Sequence, residues 1–425
     1  MKSWNEHRFG DLIEFPPKLS LRKGEVYPFI EMENIDSTCR FVASNLNRPY
    51  ESSGASKFQT GDVLMARITP CLENGKIAQV QGRKKEAGFG STEFFVFRAI
   101  IGKMDQGFLY YLVKSNFIWK SAVNSMVGAS GRQRADAKFL KRVVVTVPEV
   151  PIQRKIAAIL TAYDDLIETN KRRIALFEKM AEELYRDWFV RMRFPGHQNT
   201  RFVKGVPDGW EVRKTENAFE FTGGGTPSKD VSNYWSDGTV NWFTPSDITG
   251  AAGLFLSKSE DQCTDEGLAR SSARLFPPYS VMMTSRATIG AIGINTTPAC
   301  TNQGFITCIP NERYPLPYLY YWLKLAKPYF ESLCGGATFP ELTKGTFKKL
   351  EIMTPSEEVI KKFAKLSTPI FKSIQSGLEQ NETLTKTRDL LLPRLISGKL
   401  SVEELDIQFP PSMWEETLEP EPAYG

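Results

Sequence analysis

One long amphipathic run constrains this chain more than any other feature. It opens at Pro151 as PIQRKIAAILTAYDDLIETNKRRIALFEKMAEELYRDWFVRMR and closes at Arg193. Apolar residues recur at Ile156, Leu160, Tyr163, Ile167, Ile174, Phe177, Leu184 and Trp188, with Asn170 and Ala181 in the two open slots. That alternation of long and short steps predicts the seam of a coiled-coil helix rather than a broad globular face. Pro151 suits a first helical turn, where its missing N–H costs nothing. Pro195-Gly196 stops the run. Such a helix spans on the order of 60 Å and either spaces domains apart or docks a partner.

Before the helix, residues 1–150 predict a strand-rich domain. FQTGDVLMARIT (58–69) and STEFFVFRAI (91–100) read as buried strands, and GFLYYLVKSNFIWKSAV (107–123) has helical spacing. GASGRQRADAKFLKR (128–142) is a glycine-containing basic loop, and RVVVTVP (142–148) is a short strand stopped by proline.

The pattern then begins again. Trp4 is matched by Trp210, YPFIEMENI (27–35) by VNWFTPSDI (240–248), and VLMAR (63–67) by VMMTSR (281–286) with one insertion. GASGRQR (128–134) is matched by GGATFPE (335–341), and FLKRVVVTVP (139–148) by FKKLEIMTP (347–355). A second helical run follows from Ser356 to about Leu392, with Ile360, Phe363, Ile370, Ile374, Leu384 and Leu391 apolar and Asn381 placed as Asn170 is. Ordered matches at nearly constant offset mean a tandem duplication. The predicted order is a domain over 1–150, a helix over 151–195, linker and second domain over 196–355, a second helix over 356–405, and an acidic, proline-rich tail over 406–425 for which the composition predicts little order.

The expected fold is α+β: two strand-rich domains separated by a pair of long antiparallel coiled-coil helices, in a pseudo-twofold tandem repeat. Neither apolar seam is satisfied alone, so the two stripes pack on each other. Asn170 and Asn381 are candidate register-setting polar residues, the plainer reading being tolerated polar side chains. Duplex DNA suits a twofold reader, because it has local twofold axes and presents the same face once per turn.

Composition narrows the function. A chain of 425 residues exceeds one ordinary core. The net charge of +5 permits nucleic acid without demanding it. No signal peptide opens the chain and no apolar run is long enough to span a membrane, so a cytoplasmic protein is expected. Six cysteines without a CxxC pair, and two histidines, argue against zinc and read as buried free thiols.

At this point the chain resembles the specificity subunits of Type I restriction-modification systems. GGGTPSKDVSNYWSDGTVNWFTPSDI (223–248) looks like the opening of a target recognition domain. GDVLMAR (61–67), VMMTSR (281–286) and GGATFPELTKGTFKKLEIMTP (335–355) fit the same domain. IQRKIAAIL (152–160) and LTKTRDLLLPRLISGKL (384–400) resemble the family's two helical regions. The first domain departs from the pattern, lacking GGGTPS and NYW; FPPKLSLRKGEVY stands there instead. The resemblance implies a non-catalytic reader of double-stranded DNA with a bipartite target. It implies two methyltransferase subunits docked on the helices and restriction-motor subunits joined through the complex. S-adenosylmethionine, ATP and magnesium then belong to those partners, and this chain holds no cofactor of its own.

The candidate DNA-binding residues follow loop by loop. In the first domain they are Arg132, Arg134 and Lys138 of the glycine-containing loop, with Lys141 and Arg142 beside them, and Arg83 and Lys84 of a basic turn that also reads as a plain hairpin tip. Arg67 and Arg286, at matching places after an apolar strand, are either DNA readers or structural arginines paired to a carboxylate. In the second domain the candidates are Lys229, Lys344 and Lys348. Trp235 and Trp242 read as core aromatics rather than stacking platforms. Arg172-Arg173 reads as solvent-facing, or as facing DNA or a partner.

Two rivals remain. FTGGG (221–225) and FPPY (276–279) come close to adenine-methyltransferase motifs. However, Phe276 stands where a polar oxygen must meet the base amine, and Pro227 follows the glycines where a helix should begin. A coiled-coil scaffold without DNA specificity is the other.

Overall fold

The computed structural model describes residues 4–51, 54–129, 131–334 and 340–414. The chain divides into two units, and neither is contiguous. The first takes 1–169 with 381–425, and the second takes 170–380. Each long helix therefore gives one half to each unit.

In the first unit a five-stranded sheet runs in the order Ile13–Glu14, Phe94–Ala99, Val63–Ala66, Ile77–Gln81, Phe41–Ala43. A four-stranded sheet, ordered Leu46–Pro49, Val26–Ile30, Ala87–Gly90, Ser56–Gln59, adjoins it in sequence. In the second unit the five-stranded order is Phe221–Gly223, Phe305–Cys308, Val281–Thr284, Ile292–Asn295, Phe255–Leu256. The two central sheets share one order of strands along the chain, so the duplication expected from sequence is a duplication of topology. The start of each domain also returns to its end: Trp4–Arg8 pairs antiparallel with Val144–Pro148, and Glu211–Lys214 with Glu351–Thr354. Each closing strand leads into a long helix.

The central helix spans Val150–Tyr185 and continues through a π-turn at Arg186–Val190. It stops short of Pro195, at Met192, whose φ is 58°. The distal helix spans Glu357–Ile396. The seam residues Ile156, Leu160, Ile167, Ile174 and Trp188 are buried, as are Ile360, Phe363 and Ile374 opposite. The face is broader than a coiled-coil seam near the helix start, where Ala157, Ala158 and Thr161 are buried as well. There the first domain's Phe108, Leu109 and Leu112 join the helix in one core. In the second unit an aromatic cluster does this work. Phe189 lies edge-on to Tyr318 and Phe363 at 4.8 Å each.

The pairing is antiparallel within each unit. Asp164 meets Arg388 at 2.6 Å, and three residues further along, the Ile167 carbonyl accepts from the Asn381 amide at 3.3 Å. Asn170 donates weakly to Gln380 at 3.5 Å. The Asn381 side-chain oxygen is buried without a hydrogen-bond partner.

Several local expectations change. The span 107–123 is two helices, Gln106–Lys114 and Trp119–Asn124, because the Ser115 backbone and hydroxyl turn back on the carbonyls of the first. The basic turn at Arg83–Lys85 is no hairpin tip; it carries the chain from the five-stranded sheet to the four-stranded one. Only Cys263, Cys300 and Cys308 are fully buried, while Cys39, Cys71 and Cys334 are part-exposed. Of the tail over 406–425, expected to have little order, residues 406–413 fold back onto the first core, and 415–425 lie outside the described residues. Val402 and Met413 are buried in the first core, Phe409 packs beside Arg154, and Ser412 donates to Asp165.

A buried polar cluster ties the first domain to both helices. The Arg40 guanidinium donates to Gln79 at 2.8 Å and to Thr161, and Tyr111 donates to Asp164 at 2.5 Å. Burial works against the Arg40 charge, but Tyr111 and Asp164 outweigh it and its pKa ends up raised. Burial likewise holds the Tyr111 phenol well above its ordinary value. The Asp164–Arg388 pair is nearly dry, with side chains 6% and 11% exposed. Arg388→Met leaves the Asp164 carboxylate buried against one fewer cation. It should cost about 3 kcal/mol in chemical denaturation, and Asp164→Asn/Arg388→Met should recover most of it.

Candidate nucleic-acid interface

In the first unit two of the candidate arginines converge on one acid. Arg134 forks onto the Glu93 carboxylate, with Nε at 2.9 Å and Nη2 at 2.7 Å. Arg67 lies over the Phe95 ring, its Nε 3.6 Å from the same carboxylate. The Arg134 hydrogen bonds hold Glu93 below the usual carboxylate range, and Glu93 raises Arg134 in return. Backbone bonds complete the seal: Arg134 bridges Ile68, and the Ala135 N–H donates to the Arg67 carbonyl at 2.8 Å. The glycine-containing loop is thus pinned along the end of strand Val63–Ala66. Arg132 and Lys138 remain exposed on it, Lys138 in a helix, Ala137–Arg142, capped by Asp136. Lys141 lies over the Phe15 ring at 5.4 Å. Arg83 and Lys84 sit on the separate inter-sheet turn.

The second unit repeats the backbone seal with a loop residue of opposite charge. Glu341 stands where Arg134 does, bridging Arg286, and Arg286 Nε donates to its carboxylate at 2.8 Å. The backbone pattern shifts the expected alignment by one residue. The Ser285 N–H donates to Gly304 and its carbonyl accepts from Leu342, as Arg67 does with Glu93 and Ala135, so Ser285 matches Arg67 and Arg286 matches Ile68. Arg286 is thus hydrogen-bonded to a carboxylate, whereas Arg67 lies beside one without a hydrogen bond to it, and both side chains keep a part-exposed face. Residues 335–339 of GGATFPE lie outside the described residues.

The GGGTPS stretch owes its glycines to crowding. A Cβ on Gly224 falls 2.0 Å from the Asn302 carbonyl oxygen, one on Gly225 falls 2.1 Å from Ser272 Oγ, and one on Gly223 falls 2.0 Å from Lys344 Nζ. Lys344 therefore reaches across the start of this loop from the short helix Lys344–Lys348, on which Lys348 is exposed. Two indole N–H groups fasten the loop's far side. Trp242 donates to the Gly225 carbonyl and Trp235 to that of Ser228, both at 2.9 Å. Trp242 is a core residue as expected, and Trp235 is half-buried edge-on to it at 5.0 Å. Lys229 is held by Asp261 at 2.7 Å and lies 3.7 Å from the Trp235 ring centre. The acids Glu93, Glu341 and Asp261 carry no signal in the sequence alone, because nothing there places them beside their cations.

The methyltransferase rival fails on geometry too. Phe221–Gly223 is a strand paired with Phe305–Cys308, and Phe276 is buried. Among the described residues no group of three or more His, Cys, Asp or Glu gathers to hold a metal ion, and no helix is long and apolar enough to cross a membrane.

A duplicated α+β domain, each copy with a loop sealed to a central strand and each joined to half of a helix pair, defines a two-module recognition protein. The chain belongs to the Type I restriction modification DNA specificity family, whose domain matches residues 1–179 and 207–385. It is 34% identical over 201 residues to the Type I restriction enzyme MjaIX specificity subunit of Methanocaldococcus jannaschii, covering 47% of this chain and 46% of that one. It is 25% identical to the HindI specificity subunit of Haemophilus influenzae over 94% of this chain and 100% of that one. The crystal structure of a Type I restriction-modification S subunit from M. genitalium shares the fold, with a TM-score of 0.55 over 92% of this chain and 96% of that one at 16% identity. The chain is accordingly a non-catalytic DNA specificity subunit.

Two outcomes test the loop chemistry. Gly224→Ala must displace backbone rather than a flexible side chain, so it should cost about 3 kcal/mol in denaturation of the second unit. Glu93→Gln should cost at most about 1 kcal/mol, because the pair is part-exposed, yet hydrogen exchange at the Arg134 and Ala135 amides should quicken. Since Glu93 is lowered on folding, its contribution should be complete above the ordinary value of 4.5 and fade as pH falls through the lowered one.

Proposed function

We propose that this chain reads an asymmetric, bipartite duplex sequence, one half with each recognition domain. The observation that carries this is the duplication itself: one strand order twice, with loops that differ in charge and sealing. Two modules of one design with unlike loops suit two unlike half-sites. Exposed Arg132 and Lys138 in the first domain, with Arg83 and Lys84 on their own turn, supply phosphate or base contacts there; Lys344 and Lys348 do so in the second. Arg67, Arg134, Arg286 and Lys229 join those contacts through their part-exposed faces, with carboxylate neighbours holding them in place. Asn170 and Asn381 set the helix register.

The helices dock two methyltransferase subunits. Leu166, Leu176 and Met180 on the central helix and Leu366 and Leu390 on the distal one are more than half exposed, which favours a covering partner. Restriction-motor subunits join through that complex. S-adenosylmethionine, ATP and magnesium act on those partners, and the assembly works in the cytoplasm. The functional modules run 1–150, 151–195, 196–355 and 356–405, followed by the tail 406–425.

Co-expression with the cognate methyltransferase subunit, followed by single-molecule mapping of methylated adenines, tests the reading. A gapped, asymmetric motif that disappears when this chain is deleted is expected, and exchange of residues 1–150 for those of a relative should change one half only. Unchanged methylation on deletion, with no sequence-selective duplex binding, overturns it in favour of a scaffold.

A further inference from the structure

The second unit carries a groove of about 280 Å³ between the central and distal helices. Its floor is Ile174, Phe177 and Gly377, and a Cβ added at Gly377 would come within 3.0 Å of Ile174. Its rim is Asn170, Arg173, Lys372, Ser373, Ser376 and Gln380, with no carboxylate among them. The rim polar groups are partly spent on each other: Asn170 donates to Gln380, Gln380 donates to Ser376 at 3.4 Å, and Ser373 donates to the Pro369 carbonyl. The Ser376 hydroxyl proton and the two cations are not. Among the described residues neither Arg173 nor Lys372 is in an ion pair, whereas other cations of these helices are, as in Arg186–Glu182, Lys361–Glu357 and Lys386–Glu382.

The groove is also one-sided. The repeat that matches Asn170 to Asn381 matches Arg173 to Leu384 and Lys372 to Thr161. The equivalent place in the first unit therefore has neither cation. Two unpaired cations and a free hydroxyl proton facing one polar recess of this size meet an oxyanion with several acceptor oxygens. A guanidinium opposite an ammonium suits the tetrahedral phosphodiester better than a planar carboxylate.

We infer that this groove holds a backbone phosphate of the DNA in the unread gap between the two half-sites. The inference rests on the DNA-reading assignment above. It gives the helix pair a direct, sequence-independent contact with the duplex, and gives that contact to one half of the repeat only.

The test uses the complex with its methyltransferase subunits, a cognate duplex, and a set of cognate duplexes each bearing one neutral methylphosphonate in the gap. Arg173→Gln/Lys372→Gln should reduce the slope of log K against log salt by about one, weakening cognate and mismatched duplexes alike. One methylphosphonate position should weaken the parent complex and leave the double variant indifferent, and Arg173→Lys/Lys372→Arg should keep the parent slope. An unchanged slope with half-site selectivity intact overturns the groove assignment and leaves the reader assignment standing. An unchanged slope with loss of methyltransferase subunits on size exclusion overturns it in favour of an acidic protein surface. Absence of selective binding by the parent complex overturns the reader assignment itself.

Discussion

Everything in this fold depends on covering two long apolar helix faces that neither helix can cover alone. The solution is antiparallel pairing, visible in the first unit from Asp164–Arg388 to Ile167–Asn381 and in the second from Asn170–Gln380 to Phe189–Phe363. Because each helix is shared between units, each unit's core closes only when sequence-distant segments meet. Ile156 and Leu160 share a core with Leu395, Ile396 and Val402; Tyr185 and Trp188 share one with Ile360 and Phe363. Burial of that apolar area is the dominant favourable term, and it obliges the recognition domains to form as parts of helix-containing units.

The two units reach this end with different chemistry. The first uses a buried polar cluster, Arg40 with Tyr111, Thr161, Asp164 and Arg388, and the second an aromatic one of Tyr185, Phe189, Tyr318 and Phe363. A hydrogen-bonded cluster tolerates only one geometry, since any displacement strands a buried charge. An aromatic cluster tolerates small slides at little cost. Duplication preserved topology while side-chain chemistry diverged.

Much of this was legible in the sequence because it rests on periodicity. The seam, the repeat order, the two asparagines and the strands Val63–Ala66 and Phe94–Ala99 all leave marks at fixed spacing. Less legible was what depends on chain segments meeting. The one-residue shift that puts Ser285 opposite Arg67 is set by backbone hydrogen bonds, and an insertion hides it. The folded-back segment 406–413 reads as unstructured from its proline and acid content, yet Ile407, Phe409 and Met413 suffice to anchor it. Glu93 and Glu341 passed unnoticed because an isolated acid has no pattern until its arginine is beside it.

The loop seals have an evolutionary corollary. Arg134 meets Glu93 in one domain, and Glu341, at the matching loop position, meets Arg286 in the other. A loop moved alone from the first domain to the second would set arginine against arginine, and the reverse transfer would set glutamate against glutamate. The two domains are keyed like connectors of opposite polarity. Recombination that moves a whole domain carries both poles and keeps the seal, whereas recombination within a domain breaks it. New specificities in such a chain should therefore arise by exchange of entire halves, with breakpoints in the helices rather than in the loops that do the reading.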